Sequence, residues 1–331
     1  MSVEEVRFGV GMDDPFAIQY ERTKGYESAA TLERKMNTRV CIAGVGGGGG
    51  LLAESLAKEG YGDIRIADPD EMSAANANRL FPATPDNIGR NKAEVWAERI
   101  HLANSAARVA IFAEGVTADN VEDFFMQGSK KGQRIIAVDE IDVLRPEIAL
   151  GFNQTARRFG IPVTTGTDIG FGGIVTSINP EASRYTFERV NHIPEDMVPF
   201  EEYEGELSLS SLGYIPTYGS IDTLLSVMKG SDVPTTLRSV LTTTAMLLDE
   251  TERITMDGTR GFRRPTWAPK QRWMDTNGTS GSTRFPRASH YSHLLRTVLR
   301  DKVLQINPDA EYTPEDIAAR AEYRIQHGEA E

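Results

Sequence analysis

A doubly wound α/β fold, with a mostly parallel sheet and helices on both faces, is predicted by two features of the sequence. Strand patterns alternate with helix patterns over the first 180 of the 331 residues, which implies right-handed crossovers between parallel strands. The first strand pattern, RVCIAGVG at 39–46, also continues through a run of glycines into an amphipathic helix pattern at 51–60. This order of strand, glycines and helix is typical of a Rossmann-like nucleotide-binding core.

The other elements of the core follow in regular alternation. Strand patterns rich in Ile, Val and Ala lie at 63–70, 107–115, 133–140, 161–168 and 172–180. Helix patterns lie between several of them, at 91–103, 121–130 and 145–160. Together with the first strand, these patterns predict a core sheet of six strands.

Beyond residue 180 the sequence changes character. It is acidic and contains prolines, which predicts a long excursion or flexible loop with one helix at 222–230. A helix is predicted at 236–254, a Gly-, Pro- and Arg-rich loop at 259–290, and closing helices at 292–306 and 314–326. The predicted segments are a leader at 1–36, the nucleotide-binding core at 37–180, a substrate-side excursion with packed helices at 181–258, and a basic loop with C-terminal helices at 259–331.

Composition narrows the class of protein. The net charge of −12 and the pI near 5.1 argue against a nucleic-acid binder. No apolar run is long enough to span a membrane and no N-terminal signal pattern is present, so a cytoplasmic protein without membrane contact is expected. The single cysteine, Cys41, excludes an intramolecular disulfide and a zinc site of four thiolates, so no zinc is expected.

Charge is distributed unevenly along the chain. Between residues 259 and 302 the sequence contains many arginines and lysines but only two aspartates, Asp275 and Asp301. Such a stretch is either a solvated surface that pairs with acidic groups of the same chain or a clamp for an anionic substrate. The sequence leaves both interpretations open.

The glycine run contains the spacing Gly44-x-Gly46-x-x-Gly49 between a strand and a helix. The first glycine allows a tight turn, the second lets a phosphate approach the backbone, and the third packs the helix on the strand. The amides at the helix N-terminus then face the anion. A tight turn without ligand is the structural alternative.

This fingerprint alone fits NAD, FAD or ATP, since Asp68 at the end of the second strand suits a ribose in each of them. Two cations further along, Arg79 and Lys92, distinguish the ligands. A nicotinamide site has little use for them, whereas a triphosphate needs cations that neutralise its charge as pyrophosphate leaves. We therefore favour ATP, with an ordinary surface position as the alternative for each cation.

These motifs resemble those of the ThiF/MoeB-type adenylyltransferases, which belong to the ubiquitin-activating-enzyme-like superfamily. That family shows Gly-x-Gly-Gly-x-Gly, Asp-x-Asp, Ser-Asn-x-x-Arg-Gln, Asp-Ile-Gly-x-x-Lys and, after a further strand, Asp-x-x-Asp. The matching segments of this chain are Gly44–Gly49, Asp68–Asp70, Asn76–Arg79, Asn87–Lys92 and Asp139–Asp142 with Arg145 behind it. The resemblance extends from about residue 20 to 180 and is weaker to 250.

The resemblance implies ATP and Mg²⁺ as cofactors and assigns roles to matching positions. Asp68 would bind the ribose, the triphosphate would lie against Asn76, Arg79 and Lys92, and Asp142 would hold Mg²⁺. The alternative for Asp142 is a helix N-cap ahead of RPEIAL. The nucleotide-binding set is Gly44, Gly46, Gly47, Gly49, Asp68, Asp70, Asn76, Arg79 and Lys92.

The family also implies a catalytic arginine near the N-terminus that reaches the ATP of a partner subunit. The segment QYERTKGY places Arg22 at this position, which implies a homodimer. A surface salt bridge is the alternative. With Arg22 the implied catalytic set becomes Arg79, Lys92, Asp142 and Arg22.

Three departures from the family pattern matter. Leu80 stands where the family has Gln, the two zinc-binding Cys-x-x-Cys pairs are absent, and the excursion after residue 180 has no cysteine. Cys41 is predicted to be a buried core residue because it lies in an apolar strand. A thioester stage is therefore not expected.

The sequence thus predicts an ATP- and Mg²⁺-dependent adenylyltransferase that activates a carboxylate and releases pyrophosphate. The carboxylate belongs to a ubiquitin-like or sulfur-carrier protein, a precursor peptide or a small molecule. The alternatives are an NAD(P)- or flavin-dependent oxidoreductase, a catalytically inactive nucleotide-binding partner subunit, and a member resembling tRNA threonylcarbamoyladenosine dehydratase. The acidic net charge disfavours the last of these.

Overall fold

The structure is a computed structural model that describes residues 5–6, 20–23, 26–203, 234–277 and 280–284. Nine strands form one sheet in these residues. They are β1 (Glu5–Val6), β2 (Arg39–Ala43), β3 (Asp63–Ala67), β4 (Arg108–Phe112), β5 (Ile135–Asp139), β6 (Val163–Ile169), β7 (Gly172–Ile178), β8 (Lys270–Asp275) and β9 (Ser280–Arg284). Their order in the sheet is β1-β4-β3-β2-β5-β6-β7-β8-β9.

The five central strands, from β4 to β6, are parallel, and the strands outside them are antiparallel to their neighbours. The sixth predicted strand, β7, returns antiparallel because only Gly170 and Phe171 separate it from β6, too few residues for a crossover helix. The predicted α/β fold, Rossmann-like with a doubly wound core, is confirmed, and antiparallel strands extend its sheet.

Helices cover both faces of this sheet. They are α1 (Ala29–Met36), α2 (Gly47–Lys58), α3 (Lys92–Ala103), α4 (Val121–Met126), α5 (Pro146–Arg158), α6 (Phe187–Val190) and α7 (Leu237–Thr255), with 3₁₀ turns at Glu21–Thr23, Ala74–Asn78 and Pro85–Asn87. Within the described part of the chain, no helix has both the length and the apolar character that a membrane crossing requires.

Alternate residues of β2 define the two cores. Val40 and Ile42 belong to one apolar cluster, with side chains of α2, α3 and α7. Cys41 and Ala43 belong to the other, which contains the phenylalanines of α4 and α5. Side chains of a strand alternate between the two faces of the sheet. Because both faces are covered at β2, this strand is a continuous apolar run in the sequence.

Helix α7, predicted at 236–254, lies along α2. Thr244, in the first half of α7, donates to the Gly48 carbonyl at 3.4 Å, and the hydroxyls of Thr255 and Tyr61 are 2.8 Å apart at its end. The two helices therefore point in the same direction, with both N-termini at the carboxyl edge of the parallel strands.

The prediction of a loop at 259–290 is wrong, because β8 and β9 lie within it. The segment lacks the apolar alternation of a strand, yet β8 pairs with β7 through its backbone. Its cation Arg272 binds Asp249 and Glu250 of α7, so neighbouring acids accommodate the charge. For Arg272 the intramolecular interpretation of the basic stretch is confirmed. The predicted helices at 222–230, 292–306 and 314–326 lie outside the described residues.

A buried lysine, Lys35, joins the three helices α1, α2 and α7. The Lys35 side chain is fully buried, and its Nζ lies 2.6 Å from Glu27, 3.0 Å from Glu59 and 3.1 Å from Glu252. Burial alone lowers the pKa of Lys35, but the bond to Glu27 and the other two carboxylates outweigh it and raise that pKa. The ammonium therefore ties the start of α1 to the ends of α2 and α7.

Replacing Lys35 by Met leaves three carboxylates around an apolar side chain. We expect a loss of about 3–5 kcal/mol in the free energy of unfolding, because an uncompensated buried charge remains. Urea unfolding measures it, with Lys58→Met as the control, since Lys58 is 60% exposed and lies 3.6 Å from Glu54. Equal stability of the two variants would contradict the proposed role of Lys35.

Candidate active site

The carboxyl ends of three adjacent strands meet where the direction of winding reverses. Strand β2 has β3 on one side and β5 on the other, and Ala43 is in register with both Ala67 and Asp139. Gly44, Asp68 and Glu140 therefore leave the sheet side by side. Open α/β sheets bind ligands at such a switch point, so this edge is the candidate site.

The turn after β2 requires glycine at two positions. Gly44 has a φ of +88°, and a Cβ there would lie 2.1 Å from the Glu140 carbonyl oxygen. A Cβ on Gly49 would lie 2.0 Å from the Gly44 carbonyl oxygen, so helix α2 packs directly on the turn. These are the tight turn and the close helix packing that the spacing predicted for the first and third glycines.

The second glycine, Gly46, differs from its neighbours. It is the N-cap of α2, and a Cβ built there meets no atom within 4 Å. The next four positions, 47–50, are also glycine, so no side chain of the first helical turn covers the free amides. The helix start is open to an anion, which the partial positive charge of the helix end favours.

Asp68 holds this turn in place. Its carboxylate is buried and accepts the Val45 amide at 2.8 Å and the Asp70 amide at 2.9 Å. Burial raises the pKa of Asp68, and the charge of Lys92 and the two amide bonds oppose this rise. Asp68, the residue predicted to bind the ribose, is thus fixed beside the glycine turn.

Lys92 and Asp70 form an ion pair. Lys92 is the first residue of α3, its Nζ lies 2.7 Å from the Asp70 carboxylate, and its amide donates to the Asp70 carbonyl at 2.9 Å. The two predicted nucleotide-binding residues therefore neutralise each other here. An anionic ligand would compete with Asp70 for the ammonium.

The segment that carries Arg79 covers the start of α2. Asn76 is buried, and its Oδ1 accepts the Ser73 amide at 3.0 Å, so this side chain shapes the 3₁₀ turn ahead of Arg79. Leu80 lies 3.7 Å from a Cβ built on Gly47, and its burial explains an apolar residue where the resemblance implies Gln. Arg79 itself donates to Asn78 at 2.9 Å and to the Ala75 carbonyl.

Asp142 lies in the loop after β5, at the same edge. Its side chain is exposed, and its Oδ1 accepts the Leu144 amide at 2.9 Å. The alternative of a helix N-cap is wrong, because α5 begins at Pro146 with Arg145 as its N-cap. Asp142 therefore forms a turn ahead of the helix and keeps carboxylate oxygen exposed to solvent.

Sequence reasoning missed two partly buried acids at this edge. Glu140 accepts the Gly166 amide at 2.8 Å, and its Oε2 lies 2.4 Å from a Cβ built on Gly48. Burial raises the pKa of Glu140 well above its usual value, as does the charge of Asp168. The only signal in the sequence is position, since Glu140 follows β5 directly, as Asp68 follows β3.

Asp168, near the end of β6, is the second acid. Burial raises its pKa to about 6, while the Thr243 hydroxyl and the charge of Arg79 oppose the rise. The guanidinium of Arg79 therefore lies within electrostatic reach of the carboxyl edge. Burial thus favours the uncharged form of both acids, which limits the negative charge near the start of α2.

Arg22 lies far from this edge in its own chain. The Tyr20 hydroxyl, two residues away, donates to the Ala57 carbonyl at 3.1 Å, near the end of α2. Helix α2 has 12 residues and is therefore about 18 Å long. The exposed Arg22 is thus near the opposite end of this helix from the glycine turn.

Cys41 is buried, as predicted, and burial raises the pKa of its thiol to about 12. Its Sγ lies 3.5 Å from the Phe124 carbonyl oxygen, on the face of the sheet that α4 covers. The thiol is therefore neither ionised nor accessible at neutral pH.

The fold and the edge together define a doubly wound α/β protein with a nucleotide-type glycine turn at its switch point. The profile of the ThiF family matches residues 21–256, which is more than half of the chain. The chain belongs to the ThiF family, and the membership predicted from the motifs is confirmed.

Two curated relatives carry related sequence. The tRNA threonylcarbamoyladenosine dehydratase of Escherichia coli K12 is 36% identical over 165 residues, which cover 50% of this chain and 58% of the relative. Ubiquitin-like modifier-activating enzyme 5 of Drosophila virilis is 35% identical over 103 residues, which cover 31% of this chain and 26% of the relative. The chain thus matches less than two thirds of the length of either protein.

Among solved structures, the complex of Escherichia coli MccB with ATP has a similar fold. Its TM-score is 0.58 at 16% sequence identity, and the match covers 81% of this chain and 72% of that chain. The likeness extends over more of this chain than the matches to the curated relatives and supports the fold assignment.

Two glycine substitutions should distinguish a position with a strained backbone from one that faces open space. Gly44→Ala should lower the free energy of unfolding by about 2 kcal/mol or more, because the residue has positive φ and meets the Glu140 backbone. Gly46→Ala should lower it by about 0.5–1 kcal/mol, since Ala is a weaker N-cap than Gly. Urea unfolding of both variants tests this difference, and a reversed order would contradict the described turn.

Asp139 predicts a dependence of stability on pH. Burial raises its pKa to about 7, although the Asn153 amide and the Ile141 backbone favour the charged form. The folded chain therefore holds a proton that the unfolded chain releases near pH 4, and stability falls as pH rises from about 4 to 7. Asp139→Asn should reduce that decline by about 1.4 kcal/mol per pH unit. Parallel pH curves for the variant and the native chain would disprove this assignment.

Proposed function

We propose that this protein is an ATP- and Mg²⁺-dependent adenylyltransferase that activates a carboxylate as an acyl-adenylate and releases pyrophosphate. The observation that carries the proposal is the meeting of three features at one edge. The first turn of α2 carries no side chains of its own, Asp68 is fixed beside it, and Arg79 and Lys92 approach from two other segments. Family membership gives this arrangement its chemistry.

The reaction requires alignment and charge neutralisation more than covalent help. The carboxylate attacks the α-phosphate, and negative charge accumulates on the departing pyrophosphate. Amides of the α2 start would bind phosphate oxygens, while Lys92 would leave Asp70 for the triphosphate. Arg79 would supply the second cation from the segment that covers Gly47. Asp68 would bind the ribose hydroxyls.

The residues present fit a nucleotide-borne Mg²⁺ ion. Among the residues that the structure describes, no group of three or more His, Cys, Asp or Glu side chains is placed to hold a metal. Mg²⁺ in such sites keeps several waters and binds one or two carboxylates together with phosphate oxygens. The exposed Asp142 suits this mode, and the ion would neutralise charge on the triphosphate.

The adenylate would be used directly. Cys41 is the one cysteine of this chain, and its buried, protonated thiol has no access to an acyl group at the carboxyl edge. An amine, thiol or hydroxyl of a second substrate or partner protein would therefore attack the adenylate. An intramolecular attack would give dehydration instead.

The relatives suggest two substrate classes. Identity of 36% to a tRNA threonylcarbamoyladenosine dehydratase favours a threonylcarbamoyl group, which carries a carboxylate, as a second candidate. Similarity to a ubiquitin-like modifier-activating enzyme favours the C-terminus of a small protein or peptide. The net charge of −12 opposes binding to tRNA, so we rank the protein or peptide carboxylate first.

Pyrophosphate exchange tests the activity. Labelled pyrophosphate should enter ATP only in the presence of the correct carboxylate, and a panel of threonylcarbamoyladenosine, glycine-terminated peptides and small acids identifies its class. Thermal shifts with ATP and with NAD⁺ distinguish the oxidoreductase alternative. Stabilisation by NAD⁺ alone would refute the proposal, and ATP binding without any exchange would indicate an inactive partner subunit.

Arg79→Ala and Lys92→Ala should each reduce exchange by about 30- to 1,000-fold, because each removes roughly 2–4 kcal/mol of charge stabilisation in the transition state. Lys58→Ala at the exposed end of α2 is the control and should retain full exchange. Melting temperatures should stay near that of the native chain. Undiminished exchange in either site variant would remove that residue from the site.

We also propose that the protein is a homodimer in which Arg22 completes the partner's site. Since Arg22 lies near the far end of α2 from its own glycine turn, a catalytic role requires a second chain. A mixture of Arg22→Ala and Lys92→Ala chains should then regain one working site per mixed dimer. The measurement is exchange per isolated heterodimer. No recovery, or full activity of a monomer, would leave Arg22 as a surface residue.

A further inference from the structure

One asparagine, Asn91, joins the backbone segments that carry Lys92 and Asp68 of the candidate site. As the N-cap of α3, its Oδ1 accepts the amides of Ala93 at 2.9 Å and Glu94 at 3.2 Å. Its Nδ2 points the other way and donates to the carbonyls of Asp68 at 2.9 Å, Ala113 at 3.2 Å and Asp70 at 3.4 Å. A single side chain thus uses both its acceptor and its donors.

The segments that Asn91 connects are far apart in the sequence, so covalent bonds alone do not fix their relative positions. The Asp68 carbonyl belongs to the exit from β3, and Ala113 directly follows β4. Lys92 begins α3 and bonds the Asp70 carbonyl through its own amide. The position of the Lys92 ammonium relative to the Asp68 carboxylate therefore depends on the bonds that Asn91 makes.

We infer that Asn91 is a positioning residue of the nucleotide site, one that sets the distance between Lys92 and Asp68 without touching the nucleotide. This inference rests on the proposed function. The chemistry requires an amide side chain. Asp offers acceptors only and would set a charge against two carbonyls, while Ser caps a helix as well as Asn does but lacks the Nδ2 donor and its reach.

Asn91→Ser is therefore the informative variant, because it keeps the helix cap and the charge and removes only the Nδ2 bonds to the carbonyls of Asp68, Asp70 and Ala113. Asn104→Ala is the matched control at the other end of α3, where Asn104 donates to the Ala57 carbonyl and accepts the Ala106 amide. Both variants lose side-chain bonds of one helix, but only the first loses those at the carboxyl edge.

We expect Asn91→Ser to weaken ATP binding about tenfold by calorimetry, the cost of one or two lost hydrogen bonds. KM for ATP should rise by a similar factor, with a smaller change in kcat. Asn104→Ala should leave both unchanged while lowering the melting temperature. Asn91→Ser should also speed hydrogen exchange of the Asp70 and Lys92 amides in the nucleotide-free protein.

The hydrogen-exchange measurement separates this inference from the proposed function. Unchanged exchange at these amides, or equal loss of affinity in both variants, would overturn the positioning role even if ATP is the substrate. If the native chain binds NAD⁺ rather than ATP, the proposed function fails, and the affinity ratio for NAD⁺ then tests Asn91 in the same way. A native chain that binds neither nucleotide would overturn both.

Discussion

The close approach of helix α2 to its surroundings is the constraint on which the rest of the structure depends. Along its first turn the helix lies against Val240 of α7, Glu140 after β5, the Gly44 carbonyl and the Trp96 ring of α3. A Cβ at 47, 48, 49 or 50 would come within 3 Å of one of them. The glycine run is therefore required by the packing of the helix, whatever ligand binds beside it. Only Gly46 faces open space, which marks the direction from which an anion can reach the helix.

Burial controls charge at the carboxyl edge. Asp139, Glu140 and Asp168 lie at or near the ends of β5 and β6, where three carboxylates would repel a phosphate. Burial raises the pKa of each, so these acids carry less negative charge behind the glycine turn than exposed carboxyls would, while Asp68 keeps two amide donors. The same low-dielectric surroundings that disfavour a buried charge thus permit an anion site in an acidic protein.

The sequence predicted the parallel core well because its strands are buried on both faces and read as apolar runs with a helix between them. It failed at β8, whose Lys270 and Arg272 break that pattern and whose charge is matched by acids of α7. The sequence could single out Asp68 and Lys92 as candidates because the motifs place them at defined spacings from the glycine turn.

Other members of the site were not recognisable from the sequence. Glu140 and Asp168 matter through burial, which is a property of the tertiary structure. The role that we infer for Asn91 depends on three segments that meet only in the fold. The N-cap alternative for Asp142 failed because Arg145, three residues further along the chain, is the N-cap of the helix.

The ion pair between Lys92 and Asp70 has a consequence for how an anionic ligand arrives. A cation already matched by a carboxylate 2.7 Å away has little field beyond the Debye length, and the whole chain carries a net charge of −12. Under the proposed function, long-range attraction would therefore contribute little, and the anion would be recognised on contact, when it displaces Asp70. Added salt slows association in proteins that attract their ligands electrostatically. Here it would screen the repulsion between the acidic chain and the anion, so the association rate would stay the same or increase.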